Sequence, residues 1–487
     1  MNFKFILYIN PDWEEQRMIQ HKPIKIDNTH GFEQLWDCGI SNKHLDDIVI
    51  DFLNKHLQLL VSSAIIEWPY YDGDYLSTYY IHYAKKFKNY PKYCYRIHFI
   101  SKKDEYCGYT VLRPVVYGKK LGKTYLDPEL FQESNVYILR GTHKVHLYGT
   151  EYKVKAFPWM MQETDISICA HVATWTVLRY YGNKYLQYSN PSMGEIVENV
   201  HEEWGRKTPS SGLTPIQVSD ILTHYGFYPI IRGGNKKQIT MLLNEIMAYI
   251  ESGIPVIAMC NSTQHAFSII GHGEINYSIL DEEEYVNKLK EPDTNIILHS
   301  KLINSVYVMD DNQFPYRKMQ KLLEPNCDLN YSMYEITYAI IPLYARMQLE
   351  YHEVYTRFIG LIQNGEMKWD GTQVVRIYIT SSNYLKTFVK EANDINPVLK
   401  QVIIEMNMSR FVWCIDLSEK QEYKDRKMSG KIIIDSTSGT RENEPWILMH
   451  NKEQIKYYDV FDDSYYEIND ITIEPYMEYI HNLDCIK

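Results

Sequence analysis

The sequence predicts an α+β protein in which a central unit is flanked by two further units of α/β type. A chain of 487 residues exceeds what one hydrophobic core usually serves. Residues 155–345 place helical patterns before strand patterns, which is typical of an α+β domain. The two flanks each mix both patterns. We therefore predict three domains, at residues 1–154, 155–345 and 346–487, with no linker to mark the first border.

The amino-acid composition disfavours some classes of binding partner. Apolar residues make up 45% and charged residues 23%, as in an ordinary soluble globular protein. The aromatic excess is tyrosine, with 43 copies, which suits partly buried cores and recognition surfaces alike. A net charge of −11 disfavours non-specific binding to nucleic acid or anionic lipid, because phosphate groups are bound by surplus Lys and Arg. We expect neither nucleic acid nor a membrane among its partners.

The cysteines and the start of the chain indicate a cytoplasmic protein. The eight cysteines are scattered without a Cys-x-x-Cys pair, which disfavours both a disulfide framework and a zinc cage. There is no His-Glu-x-x-His motif, so we expect no metal and no cofactor. The short apolar run at residues 1–11 predicts a first strand rather than a secretory signal. No segment approaches the roughly 18 uninterrupted apolar residues of a membrane span.

In the N-terminal flank, apolar residues at helical spacing follow a capping Ser41 or Asn42. Strand patterns follow at residues 94–100, 108–112 and 136–140.

The central unit begins with a helix after Cys169 that is apolar around most of its circumference and is predicted to stop at Gly182. Further elements are predicted in the same unit: helices at residues 193–204, 214–226 and 236–252, and strands at residues 254–259 and 266–270. Residues 274–300 carry an acidic run at 281–284 and little apolar material, which predicts an insertion with a solvated face.

The C-terminal flank is predicted to hold a helix at residues 345–362, a strand at 374–379, a helix at 384–391, and strands at 411–415 and 431–434.

Four residues of the central unit have the chemistry of a cysteine hydrolase. The nucleophile is a thiolate, which a helix N-terminus favours, and Cys169 lies at such a point. His265 lies on a strand and would act as general acid and base, and Asp310, at the end of another strand, would orient its ring. The side-chain amide of Gln162 and the backbone N–H of Cys169 would stabilise an oxyanion. Loss of one such donor costs about 2.7–4 kcal/mol of barrier.

Four features follow one another in order: Gln162 before Cys169 at a helix start, Leu-Arg-Tyr-Tyr-Gly at 178–182, Gly-Ile-Pro-Val-Ile before His-Ala-Phe-Ser-Ile-Ile-Gly at 253–271, and a strand ending in Asp310. Together they resemble the papain-like cysteine peptidases, most closely the branch that processes bacteriocin leader peptides. The resemblance covers about residues 155–345. It implies a papain-like domain of a helix bundle and an antiparallel sheet, the triad Cys169, His265 and Asp310 with Gln162 as oxyanion donor, and cofactor-free hydrolysis of a peptide or isopeptide bond.

The chain departs from this pattern in several places. Family members usually have Gly after the nucleophile and often Asp before it, where this chain has Ala170 and Ile168. The segment from His265 to Asp310 is long for the family, so the third residue is alternatively Asp311 or Asn312. The membrane transporter attached to many leader peptidases is absent from this sequence.

Several alternatives remain open. Asp37-Cys38-Gly39 copies the family's local triplet, but it has no apolar helix directly after it and no glutamine at the right distance. His171 and His272 are predicted to be structural. The same triad would also serve acyl transfer to an amine or a thiol. The unusual residues Ala170 and Ile168 beside Cys169 motivate another hypothesis, that the chain is an inactive scaffold which binds a partner protein through its tyrosine-rich flanks. The oligomeric state has no signature in the sequence.

Overall fold

The fold is α+β, as predicted. The computed structural model describes residues 19–115, 118–131, 134–163, 165–201, 210, 212–234, 238–322, 329–439 and 446–486. The strand predicted at residues 1–11 lies outside the described residues.

The chain forms two compact units. Unit 1 comprises Met1–Gln132, Arg140–Leu213 and Asp310–Pro315, and unit 2 comprises Glu133–Leu139, Thr214–Met309 and Tyr316–Lys487. These borders do not coincide with residues 154 and 345, and the division into three domains stays a prediction.

The α-helices are α1 (Asp47–Leu57), α2 (Gly73–Ile81), α3 (Cys169–Lys184), α4 (Met193–Glu198), α5 (Pro215–His224), α6 (Ile239–Glu251), α7 (Glu283–Leu289), α8 (Tyr351–Asn364), α9 (Ser382–Glu391), α10 (Pro397–Glu405) and α11 (Lys420–Lys424).

The strands are β1 (Gln20–Lys25), β2 (Val61–Tyr70), β3 (Cys94–Ser101), β4 (Tyr106–Leu112), β5 (Leu121–Leu126), β6 (Val136–Ile138), β7 (Gly141–Leu147), β8 (Thr150–Ala156), β9 (Phe227–Gly233), β10 (Val256–Cys260), β11 (His265–His272), β12 (Ile296–Leu298), β13 (Ser305–Met309), β14 (Arg317–Gln320), β15 (Tyr338–Tyr344), β16 (Gln373–Ser381), β17 (Phe411–Glu419), β18 (Lys427–Met428), β19 (Gly430–Asp435), β20 (Trp446–His450), β21 (Ile455–Asp459), β22 (Ser464–Ile468), β23 (Tyr476–Met477) and β24 (Asp484–Ile486).

Unit 1 combines an antiparallel sheet, in the order β1-β2-β3-β4-β5, with the hairpin β7-β8 and the helices α1 to α4. The helix α3 is buried along most of its length, as its apolar circumference predicts. Asp74 of α2 fixes α3, because its carboxylate accepts from Trp175 Nε1 at 3.0 Å and from Arg179 Nη2 at 2.7 Å. Burial alone would raise the pKa of Asp74, but Arg179 and Lys123 hold it below the ordinary value.

Unit 2 contains two large sheets. One has the order β14-β13-β11-β10-β15-β9, with β6 joined to β11 and β24 joined to β6. The other has the order β12-β16-β17-β19-β20-β21-β22, in which only the β12-β16 pair is parallel. The strands β10 and β11 form a hairpin across residues 261–264, and Gln264 adopts a positive φ of 50° directly before His265. The sheets therefore fix the position of His265 in this unit.

Several predicted helix borders were wrong. The helix α3 continues past Gly182 to Lys184. The cap of α1 is Asp46, whose side chain accepts from the Val49 N–H, and not Ser41 or Asn42. The helix predicted from residue 345 begins at Tyr351, because Glu350 and Glu353 form a capping box there. The helix α4 ends at Glu198 rather than near residue 204, and residues 202–209 and 235–237 lie outside the described part.

Residues 274–300 do lie between two neighbouring strands, β11 and β13, but the expectation that they hold little apolar material of importance was wrong. Leu280, Val286 and Ile297 are buried in one cluster with Val374 and Tyr423, and β12 is an edge strand of the seven-stranded sheet. The acidic run at 281–284 is exposed, as predicted.

Among the described residues, no helix has both the length and the apolar character that a bilayer crossing requires.

Candidate functional site

Cys169 is the first residue of α3 and is half-buried. The residue before it, Ile168, has an extended backbone and makes no side-chain cap hydrogen bond, and the first turn contains no acidic residue. The N–H groups and positive dipole end of α3 therefore have no competing carboxylate within the helix's own first turn, and this favours a negative charge on the thiol.

The loop before α3 holds Gln162 in a defined position. Arg113 Nη2 donates to the backbone carbonyls of Met161 at 2.9 Å and Gln162 at 3.5 Å. Glu163 and Ser167 exchange two backbone hydrogen bonds, each 2.8 Å long, which close the loop that leads from Gln162 into the helix. The spacing of Gln162 and Cys169 is therefore set by a closed, arginine-supported loop.

The side chain of Asn312 connects Gln162 to a lysine. Its Oδ1 atom accepts from Gln162 Nε2 at 3.3 Å and from Lys119 Nζ. The amide of Gln162 has two N–H bonds, so one is still available to an oxyanion. Asn312 thus holds the predicted oxyanion donor and is exposed itself.

Asp310 and Asp311 lie directly before Asn312 and are 1% and 3% exposed. The backbone carbonyl of Asp310 accepts from Trp159 Nε1 at 2.6 Å, and its Oδ1 accepts from the Asn312 N–H at 2.7 Å. Its backbone and one carboxylate oxygen are therefore fixed, and the choice among residues 310, 311 and 312 as the third residue stays open.

Lys119 is a site residue that the sequence analysis missed. It interacts electrostatically with Asp311, Asp310 and Cys169. Burial lowers the pKa of Lys119 below its ordinary value, and these three groups oppose that shift. Lys119 follows a glycine in a loop without a motif, so no sequence signal marks it.

His265 is the first residue of β11 and lies opposite Cys260 on β10. Its ring is 5.7 Å from the ring of Tyr331, measured between centroids. The neighbouring strand β13 places Met309 opposite Ser268, and Asp310 follows Met309 in the chain. Cys169 belongs to unit 1 and His265 to unit 2, so their pairing stays a prediction.

The alternative nucleophile Cys38 has an unsuitable environment. It ends a 3-10 helix, is buried, and its Sγ donates to the carbonyl of Gln34 at 3.4 Å. Burial raises the pKa of Cys38, which disfavours the thiolate. His171 is buried too, and desolvation lowers its pKa to about 4, which suits the structural role predicted for it.

Comparisons of the chain with protein-family models, with curated proteins and with solved structures found no match.

Proposed function

We propose that this chain is a cysteine hydrolase with a papain-like catalytic domain, which cleaves a peptide or isopeptide bond in the cytosol without a cofactor. The observation that carries the proposal is the half-buried thiol of Cys169 at a helix start without a side-chain cap, preceded by a fixed loop that presents the Gln162 amide. The substrate is a protein or peptide.

In this proposal the Cys169 thiolate attacks the carbonyl carbon, and the oxyanion accepts from the Cys169 N–H and from Gln162 Nε2. His265 gives its proton to the leaving amine as the C–N bond breaks, which leaves a thioester on Cys169. His265 then takes a proton from water, whose oxygen attacks the thioester. The C–S bond breaks, the carboxylic acid is released, and the Cys169 thiolate and the protonated His265 are restored. Asp310, or one of its two neighbours in the chain, orients the imidazole.

Iodoacetamide labelling read by mass spectrometry tests the nucleophile. We expect Cys169 to react at least about ten times faster than Cys485 at pH 6.5, because only a thiolate attacks the reagent rapidly. Cys485 is the matched control, since it is the other half-buried cysteine among the described residues. Equal rates at both cysteines would contradict the proposal.

Peptide-library digestion tests the reaction. Wild-type protein and Cys485→Ala should release new carboxyl termini, and Cys169→Ala and His265→Gln should release none. Formation of new amide bonds with an added amine, in place of free carboxylates, would indicate acyl transfer. A wild-type protein that turns over no peptide and labels its cysteines equally would favour the scaffold alternative.

A further inference from the structure

Unit 2 contains a buried cluster of two histidines and a glutamate, distant in sequence from one another. Glu251 ends α6, His272 ends β11, and His299 begins the 3-10 helix His299–Leu302. Their exposures are 3%, 1% and 5%. Both imidazoles direct Nε2 at the same carboxylate oxygen, Glu251 Oε1, at 2.7 Å for His272 and 3.3 Å for His299. We call these three residues the Glu251 cluster.

The contacts of His272 direct its second ring nitrogen at another acceptor. Its Nδ1 lies 2.7 Å from the backbone carbonyl oxygen of Gly273, which only accepts, so Nδ1 is the donor of that contact. Its Nε2 lies 2.7 Å from Glu251 Oε1, a carboxylate oxygen that is an acceptor as well. An imidazole nitrogen and a carboxylate oxygen directed at the same point are atoms that commonly bind a metal ion.

The outer contacts of the cluster are those of metal ligands. A metal-binding histidine usually has its other ring nitrogen fixed by a carbonyl or a polar side chain, and a ligating carboxylate is itself hydrogen-bonded. His272 Nδ1 binds the Gly273 carbonyl, and His299 Nδ1 contacts the Tyr423 hydroxyl. The second oxygen of Glu251 accepts from Arg376 Nε at 2.5 Å. Each of the three side chains is therefore oriented from outside, with one atom left for the centre.

One of the two nitrogen-to-oxygen distances already matches a four-coordinate ion, and a small cavity lies beside the cluster. Two ligand atoms about 2.0 Å from a tetrahedral zinc ion lie roughly 3.3 Å apart. The Nε2 atom of His299 is already at this distance from Glu251 Oε1, and the Nε2 atom of His272 must move away from that oxygen by about 0.6 Å. A cavity of about 20 Å³ borders Glu251 and His299, which is enough for one water as fourth ligand. The negative dipole end of α6 also favours a cation beside Glu251.

We propose that Glu251, His272 and His299 bind one Zn²⁺ ion, with a water from the adjoining cavity as the fourth ligand. The ion ties the end of α6 to β11 and to the segment that follows β12, all within unit 2. The site is independent of the hydrolase proposal. Its ligands come from three elements with no common motif, which is why no metal is expected from the sequence.

Metal analysis of the full-length protein tests the site. Protein expressed in zinc-supplemented medium and desalted should hold about one zinc per chain. Removal of zinc with a chelator should lower the melting temperature, and its return should restore it. Cobalt(II) added to the zinc-free protein should give the visible absorption bands of a four-coordinate ion.

Two variants and a matched control locate the site. Glu251→Gln and His272→Gln should weaken zinc binding at least about 100-fold, since loss of outer-shell partners alone costs about 10–100-fold. His450→Gln should bind zinc like the wild type. His450 is an equally buried histidine of unit 2, with Nδ1 on a carbonyl and Nε2 on the Tyr476 hydroxyl at 2.7 Å.

If a variant does not fold, the metal and melting measurements on the wild-type protein test the zinc site by themselves. A wild-type protein that holds no zinc, takes up no cobalt and melts at the same temperature with and without zinc would overturn the proposal. Zinc bound equally well by wild type and Glu251→Gln would place the ion elsewhere.

Discussion

Lys119 is a positively charged residue of unit 1 that interacts with Cys169. It interacts electrostatically with Cys169 and with both aspartates that follow β13, and its ammonium donates to Asn312, which also holds the Gln162 amide. One lysine is therefore placed to act on two groups of the proposed site, the Cys169 thiol and, through Asn312, the Gln162 amide. A cation near a thiol stabilises its thiolate form.

Replacing Lys119 tests its effect on the thiol. In Lys119→Gln we expect Cys169 to be alkylated at least about threefold more slowly at pH 6.5, because the neutral amide does not attract a negative charge on the sulfur. Lys119→Arg should stay near the wild type. The measurement is the rate of iodoacetamide labelling, and Lys92→Gln, another lysine of unit 1, is the control. An unchanged rate in Lys119→Gln would contradict this role.

The positions of Cys169 and Asp310 could be predicted because each is determined by a single helix or strand. Cys169 begins a helix because an apolar helical pattern starts there, and Asp310 follows a strand as its pattern predicts. The contacts of Asn312 with Lys119 and Gln162 join segments 193 and 150 residues apart. No local pattern contains that information, so Lys119 was missed and Asn312 was considered only as a third triad residue.

At the element scale, Gly182 shows why α3 was predicted too short. A glycine after an apolar helical run usually marks a C-terminal stop because it adopts positive φ. Gly182 instead lies within the last turn, where an added Cβ would lie 2.6 Å from the Ser189 carbonyl oxygen and 3.0 Å from Asn190 Cα. The glycine is therefore required by the close approach of the following chain, which the sequence does not reveal.

Alanine at Gly182 should destabilise the protein by about 2 kcal/mol, because backbone atoms must move to admit the methyl group. Gly360→Ala is the matched control: Gly360 also lies within a helix, α8, but has open space around its Cβ position. That change should stabilise by about 0.5–1 kcal/mol through helix propensity. Urea unfolding followed by circular dichroism measures both. A Gly182→Ala protein as stable as Gly360→Ala would show that the approach is not tight.

The short strand β12 was not predicted, for a different reason. The strand β12 has three residues and pairs in parallel with β16, more than 70 positions later. Three residues are too few to show a period of two, and the acidic run nearby indicated solvent. The apolar side chains at 280, 286 and 297 nevertheless meet Val374 and Tyr423, so tertiary contact turns this stretch into part of a core.

One short segment belongs to unit 1 although the chain before and after it belongs to unit 2. Residues 310–315 belong to unit 1 although the strands on both sides of them belong to unit 2. The α+β class follows from the patterns of individual elements, and it was predicted correctly. Membership of a unit depends on contacts between distant segments, which composition and periodicity do not encode.

Buried neutral histidines occur in both units and make the stability of the molecule depend on pH. Desolvation lowers the pKa of His44 and of His143 in unit 1 to about 4 and that of His450 in unit 2 to about 3. The unfolded chain takes up these protons near pH 6.5 and the folded protein does not. The contribution of these three histidines to the free energy of unfolding is therefore complete above pH 6.5 and is lost as the pH falls towards 4.

Unfolding in urea at pH 7.5 and at pH 5 should show a loss of about 2 kcal/mol for each such histidine. In His143→Gln the difference between the two pH values should shrink by about that amount, because Gln does not titrate. His146→Gln, on the same strand but with a side chain 70% exposed, should keep the wild-type difference. His143 Nδ1 faces Asn183 Nδ2, a donor, at 3.3 Å, so a proton there has no acceptor. If the difference in the free energy of unfolding between pH 7.5 and pH 5 is equal in all three proteins, His143 is protonated in the folded protein at pH 5.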